Sequence, residues 1–395
     1  MTNRQLFLQH CGQTSDAPLC FEIASAEGIY LYDADGKKYI DAIGGISVAN
    51  IGHGNAHVLA ATKNQIDAYM HTMVYGEMVQ SPQVQFAKLL TDYLPASLNA
   101  VFFTNSGTEA TEGAMKLAKR VTNRTKIIAF NNSYHGSTQG ALSLIGDEYW
   151  RNAFRPLLPN IFHYNYNEDV VLDGIDETVA CVIVETVQAE SGVYAARKEW
   201  LQAIDQKCKS TGTLLILDEA QCGFGRTGTL WAFEQYGIVP DILLLAKAIG
   251  GGMPLGAFIA NKQLMDSLTH HPVLGHLSTF GGHPVSCAAG LAAMQELLKK
   301  NIIAEAENKG ALLEKLLTDK GIKCIRRKGL WIALFFTDYE TTKKIVDACI
   351  AKGVFTDWFL FASNALRISP PLIITEEQIV AMADVIGESV KEVIG

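Results

Sequence analysis

The sequence predicts an α/β protein: a large domain on a mainly parallel sheet flanked by helices, and a small α+β domain built from both termini. Three observations predict it. Short, almost uninterrupted apolar runs recur through the middle of the chain, at 101–104, Lys126–Phe130, Val179–Glu185, 214–217, Ile242–Leu245 and Gly256–Ala260. Stretches of helical period separate several of them, the pattern of strands buried on both faces. The two ends of the chain break that rhythm, which sets them apart from the centre.

Each element has its own reason. Residues 28–40 hold two β-like runs around Asp35-Gly36, a turn-forming pair that reads as a hairpin. The run at 101–104 leads into a helix to about residue 121, with Ala110, Ala114, Leu117 and Ala118 on one face. A helix over 198–209 follows Val179–Glu185, and another over 284–300 follows the last central strand. Beyond residue 305 the pattern gives a helix ending near 320, a strand at 330–336, a helix at 341–352, a strand at 365–368 and a helix at 375–393. The expected division is therefore 1–50 and 305–395 for the small domain and 51–304 for the large one, in line with a chain of 395 residues.

Composition narrows the function. Hydrophobic residues make up 48% and charged residues 19%, the profile of a globular protein with a large interior. The net charge of −8 implies no basic face, so a nucleic-acid partner is not expected. No apolar run is long enough to cross a bilayer, and the first ten residues do not read as a secretory signal. Eight cysteines lie scattered without C-x-x-C pairs, which predicts free thiols in a reducing cytoplasm and no zinc site. No metal is expected.

The chemistry gathers at strand ends. Lys247 closes an apolar run and opens the glycine-rich stretch Ala248-Ile249-Gly250-Gly251-Gly252. A lysine so placed is poorly solvated, which favours the neutral amine that condenses with an aldehyde. Asp218 closes another run, where it can supply counter-charge to a protonated pyridine nitrogen. Lysine and aspartate together are what pyridoxal phosphate requires. Four further segments accompany them. Ser106-Gly107-Thr108 sits at a strand-to-helix junction, where unpaired backbone N–H groups suit a phosphate. Ser106 with Glu109 also reads as a plain capping box, and both readings are compatible. Tyr134 follows a strand and can stack on a planar ring, although a lone pair such as Tyr134-His135 is more often a satisfied core pair. His135 is given no catalytic role. Ser278-Thr279 offers hydroxyls in a glycine-containing loop before a helix. Arg367 lies just before Ser369-Pro370-Pro371, and its fork suits a carboxylate bidentately, or a surface ion pair.

In this order the segments resemble the class III pyridoxal-phosphate aminotransferases, the ornithine and acetylornithine aminotransferase group, from about residue 25 onward. The most specific stretch is Leu217-Asp218-Glu219-Ala220-Gln221-Cys222-Gly223-Phe224-Gly225-Arg226-Thr227-Gly228, followed by Ala246-Lys247 and its glycines. The resemblance implies a fold-type I transferase with a seven-stranded sheet in the large domain. It implies that Lys247 bonds the cofactor aldehyde, Asp218 pairs with the pyridine nitrogen and Gln221 contacts the phenolic oxygen. Tyr134 stacks on the ring, while Ser106, Gly107 and Thr108 take the phosphate, with Glu185 also in the cofactor site. Thr279 reaches the phosphate of the neighbouring subunit, so the active sites of a homodimer are shared. Arg367 binds the α-carboxylate of an amino or 2-oxo acid, and Glu190 pairs with it when an ω-amine reacts. Ser137 and Ser278 fall at substrate-binding positions. The implied reaction is ping-pong transfer from an ω-amine or basic amino acid to 2-oxoglutarate.

Two positions depart from the family pattern. Ser137 stands where ornithine and acetylornithine enzymes carry an arginine that clamps a carboxylate, which favours plain ω-amines or diamines. The usual Glu-Pro-x-Gln-Gly-Glu reads Glu185-Thr186-Val187-Gln188-Ala189-Glu190. A glutamate-1-semialdehyde-type aminomutase has less need of the Arg367 and Glu190 pair. A non-enzymatic cofactor-sensing domain would need a DNA-binding module, for which there is no room before residue 25. Gly250-Gly251-Gly252 lacks dinucleotide-fingerprint spacing.

Overall fold

The computed structural model describes every residue except Tyr75, Lys300 and Asp319. Near the start, β1 (Ile23–Glu27), β2 (Tyr30–Asp33) and β3 (Lys38–Asp41) form an antiparallel meander. Gly36 supplies the positive φ of 79° that the β2–β3 turn needs.

The central sheet holds β4 (Ala100–Thr104), β5 (Lys126–Phe130), β6 (Ile161–Tyr164) and β7 (Val179–Glu185). A two-stranded ribbon, β8 (Val187–Gln188) and β9 (Tyr194–Ala195), follows β7. The sheet is completed by β10 (Leu214–Asp218), β11 (Ile242–Leu245) and β12 (Gly256–Ala260), in the spatial order β4-β12-β11-β10-β7-β5-β6. Only β12 runs against its neighbours, so the seven-stranded sheet is mainly parallel, as expected.

Alternation along these strands divides the core in two. Ile128, Phe130, Val182, Val184, Leu215, Leu217, Leu243 and Leu245 enter one cluster; Ile127, Ala129, Cys181, Ile183, Ile216, Ile242 and Leu244 enter the other. The helix Lys198–Thr211 covers the first face through Trp200, Leu201 and Ile204. The helix Gly107–Thr122 covers the second through Ala110, Ala114, Leu117 and Ala118. Left-handed Asn123 and Gly212 end these two helices.

The C-terminal part packs the helices Ile302–Leu317, Tyr339–Ala351 and Glu376–Ile394 with a three-stranded sheet of β13 (Cys324–Arg327), β14 (Ile332–Phe335) and, after β15 (Val354–Phe355), β16 (Ala365–Ile368). Strand β15 pairs in parallel with β3, which joins the two ends of the chain. The sequence missed β6, an edge strand paired only with β5 and largely half-buried, so it has no continuous apolar run. It also missed β13, whose Arg326 and Arg327 hide the pattern. The helix expected to end near 320 stops at Leu317, and the last residue of the helix expected over 284–300 lies outside the described residues.

Candidate active site

The parallel strands end on one edge of the sheet, where open α/β folds bind their ligands. Asp218 is the last residue of β10, Lys247 stands two residues beyond β11, and Tyr134 four beyond β5. They line a cavity of about 690 Å³ together with Ser106, Gly107, Thr108, His135, Ser137 and Thr138. Lys247 is held at a φ of 55°, a left-handed conformation that is costly for a residue with a Cβ and is common at functional sites.

Ser106 caps the helix Gly107–Thr122: its hydroxyl accepts from Glu109 N (3.3 Å) and its carbonyl from Ala110 N (3.1 Å). That leaves the N–H groups of Gly107 and Thr108 as first-turn donors for an anion. Glu109 turns back to Asn105, accepting from its backbone N–H at 3.0 Å. Close backbone approach requires Gly136, since a Cβ there would lie 2.2 Å from Thr108 Oγ1. The loop carrying Ser137 is clamped by a chain of hydroxyls. Thr108 Oγ1 and Thr138 Oγ1 are 2.7 Å apart, and Thr138 Oγ1 donates to Glu112 Oε1 at 2.6 Å. The same Glu112 oxygen accepts from Gly140 N (2.9 Å) and Ala141 N (3.1 Å).

Asp218 is held on two sides. Its Oδ1 accepts from Ala220 N at 2.9 Å, and its Oδ2 meets His135 Nδ1 at 2.7 Å. Burial pulls the His135 pKa down, but the hydrogen bond and charge of Asp218 outweigh it, so the imidazole is the stronger base for its position. Glu185 accepts from Tyr134 N and Ala189 N, both at 2.9 Å, and so fixes the tyrosine's backbone. Burial pushes its carboxyl up to about 7, against the pull of His135. The Tyr134 hydroxyl lies 3.0 Å from Ser137 Oγ. The Gln221 amide is buried; its nitrogen is 3.5 Å from Ser47 Oγ, and its oxygen has no partner among the described residues.

Arg367, on β16, is 3% exposed. Its two terminal nitrogens bond Glu190 bidentately at 2.9 and 3.0 Å, and one also donates to Trp358 O at 2.9 Å. The Phe359 ring lies 4.7 Å from the guanidinium carbon. Burial alone would raise the Glu190 carboxyl, but Arg367 holds it below the ordinary range, with Lys247 also contributing.

Of the residues singled out in the sequence, Lys247, Asp218, Ser106, Gly107, Thr108, Tyr134 and Ser137 line the cavity. Gln221, Glu185, Glu190 and Arg367 stand outside its lining, in the buried polar shell described above. Thr279 is exposed on its loop, and Ser278, outside the lining, accepts from Asn105 Nδ2 (2.9 Å), a lining residue, and from Gly281 N (3.1 Å). Sequence reasoning missed His135 as the partner of Asp218, 83 residues away. It also missed Glu112, although a carboxylate four residues after Thr108 lies on the same helix face.

The chain is similar to known proteins in sequence and in fold. The family profile of aminotransferase class-III covers residues 11–390. An acetylornithine aminotransferase of Methanopyrus kandleri is 38% identical over 362 residues, 90% of this chain and 91% of that protein. A [LysW]-aminoadipate semialdehyde/glutamate semialdehyde transaminase of Sulfurisphaera tokodaii is 39% identical over 79% of this chain and 81% of its own. Among solved structures, the ornithine aminotransferase of Toxoplasma gondii, described with pyridoxal phosphate at its active site, superposes with a TM-score of 0.91 at 28% identity, covering 98% of this chain and 93% of that one. The chain belongs to the class-III aminotransferases and is a pyridoxal-phosphate-dependent transaminase.

Proposed function

We propose that this enzyme moves an amino group from an ω-amine or basic amino acid to a 2-oxo acid, with 2-oxoglutarate as the acceptor to test, in a ping-pong cycle. The observation that carries the reading is the buried, bidentate Arg367–Glu190 pair. An arginine able to take an α-carboxylate, with a glutamate to neutralise it when the substrate has none, suits two alternating substrates.

The residues fit the cofactor. Gly107 and Thr108 offer N–H groups to its phosphate, Asp218 offers a braced carboxylate to its ring nitrogen, and the unpartnered end of the Gln221 amide is a buried polar atom awaiting a contact. When bound, pyridoxal phosphate supplies an electron-withdrawing ring that takes up the electrons left by deprotonation of the substrate carbon. Lys247 would hold the aldehyde of the group, and its amine, freed by the substrate, would accept and return a proton at the reacting carbon. Asp218, steadied by His135, would favour a protonated ring nitrogen. Tyr134 covers one ring face. Ser137 cannot supply the cationic clamp that would hold a donor's carboxylate there, so donors without that carboxylate, such as plain ω-amines and diamines, are favoured over acetylornithine.

A homodimer supports the site. Met70, Met73, Met78 and Val79 are exposed, as are Val273, Leu274, Leu277 and Phe280, and ring contact between His71 and Phe280 joins the two segments. A second copy covering them would bring Thr279 of the partner subunit to the phosphate. In this reading residues 51–304 hold the cofactor, 1–50 and 305–395 form the small domain, and the eight free cysteines suit a reducing cytoplasm.

The test mixes the pyridoxal form with ornithine, acetylornithine, lysine, 4-aminobutyrate and a diamine, and follows the cofactor absorbance in single half-reactions. An ω-amine or diamine should react fastest; acetylornithine as the best donor would overturn the donor assignment. Lys247→Ala should abolish the absorbance band of the lysine-linked cofactor and slow turnover about 10³-fold or more.

A further inference from the structure

Arg367 has a second counter-ion. Asp357 Oδ1 lies 3.0 Å from Arg367 Nε, the guanidinium nitrogen that the Glu190 contacts do not use. The contact is an ion pair of poor alignment, because neither atom makes a directed hydrogen bond. Backbone pairing fixes it: Arg367 N donates to Asp357 O at 2.9 Å, Thr356 Oγ1 donates to Arg367 O at 2.6 Å, and Trp358 bridges to Leu366. Two carboxylates on one guanidinium leave the cluster with one negative charge in excess. They share the arginine unequally. Glu190 has the bidentate geometry, while Asp357 takes the penalty: burial, against the pull of Arg367 and with repulsion from Glu190, pushes its carboxyl up to about 6. The side chain is nonetheless 22% exposed, so it exchanges protons with water.

We propose that Asp357 is a specificity-determining residue that acts through Arg367: it keeps the arginine partly neutralised after Glu190 has moved aside, and so weakens binding of the acceptor's carboxylate. The inference rests on the reading of Arg367 as the carboxylate site. A 2-oxo acid takes the two terminal nitrogens that Glu190 vacates, and its charge then faces Asp357 across the same guanidinium. An ω-amine, which leaves the Arg367–Glu190 pair intact, does not meet this repulsion. Protonation of Asp357 relieves it. The charged groups facing Asp357 are Arg367 on β16, Glu190 on the loop after β8 and Asp41 at the end of β3, with Asp41 itself 2.8 Å from His53 Nε2. Arg367 favours the charged form of Asp357, whereas Glu190 and Asp41 oppose it. Glu190, held low, stays ionised through the same range, so Asp357 is the group of the cluster that changes charge near pH 6.

The experiment measures the dissociation constant of 2-oxoglutarate for the pyridoxamine form of the holoenzyme from pH 5.5 to 8.5, beside the reaction of the pyridoxal form with the fastest amine of the panel. In the wild type, 2-oxoglutarate should bind more tightly as pH falls through about 6. Asp357→Asn should bind it on the order of tenfold more tightly at pH 8, with that dependence flattened and the amine half-reaction unchanged. Unchanged or weaker binding in a variant with wild-type melting behaviour overturns the proposal. Should the variant not fold, a flat wild-type profile does so alone. Arg367→Gln separates the two readings. If it binds 2-oxoglutarate as the wild type does, Arg367 is not the carboxylate site and both ideas fall; if it loses affinity while Asp357→Asn changes nothing, only the role of Asp357 falls.

Discussion

Two buried arginines in this chain are satisfied in opposite ways. Arg226 is fully buried and donates only to uncharged oxygens: Leu330 O at 2.9 Å, Pro370 O at 2.8 Å and Asn50 Oδ1 at 2.6 Å. These acceptors come from three distant stretches of chain, so one guanidinium ties the N-terminal segment, the stretch leading into β14 and the Pro370-Pro371 segment together. Burial lowers its pKa to about 9. Arg367 is almost as buried but faces two carboxylates, and its pKa is raised despite burial. Backbone carbonyls cannot swing away, and no amide oxygen takes up a proton near neutral pH; a carboxylate side chain can swing, and that of Asp357, pushed up to about 6, can also be protonated. The first arrangement is a permanent joint, and the second is one whose partners can change.

That contrast can be broken by experiment. Arg226→Met should show the largest effect, on stability: three buried acceptors lose their donor, a loss of about 3 kcal/mol even after the buried charge is removed, read as a lower unfolding midpoint. If this variant unfolds like the wild type, the joint is not structural. Arg367→Gln should do the reverse, lowering kcat/KM for 2-oxoglutarate roughly 100-fold, the worth of a bidentate charged contact, with a much smaller loss for an ω-amine. Equal losses for both would contradict its assignment. Glu190→Gln should have the mildest consequence, shifting preference about tenfold from ω-amines toward glutamate, because glutamine cannot neutralise the arginine. A parallel fall for both donors would mean that Glu190 is merely structural.

What the sequence disclosed follows from which interactions are local. The central strands were legible because being buried on both faces demands unbroken apolar runs, and Lys247 and Asp218 stood out as charges ending them. Strand β6, at the edge and half-exposed, carries no such demand. The long-range partners could not be read. His135 and Asp218 are 83 residues apart, Arg226 reaches residues 104 and 144 positions away, and Ser278 anchors to Asn105 across 173. The Asp357–Arg367 pair is close in sequence, yet it depends on a bend that returns the chain to β16 in a register no local pattern encodes. The left-handed backbone at Lys247 was equally hidden, since lysine carries no conformational signature of its own.

The hydroxyl chain beside the helix N-terminus has a direction. A carboxylate oxygen only accepts, so the single proton of Thr138 Oγ1 must point to Glu112. Thr138 Oγ1 can then only accept from Thr108, and Thr108 Oγ1 also receives the Thr138 backbone N–H at 3.2 Å. With its hydrogen turned away, the Thr108 side chain shows an approaching phosphate nothing but lone pairs. In this state the anion must be gripped by main-chain amides, and a glutamate one helical turn deeper decides which atoms of the threonine are able to touch it.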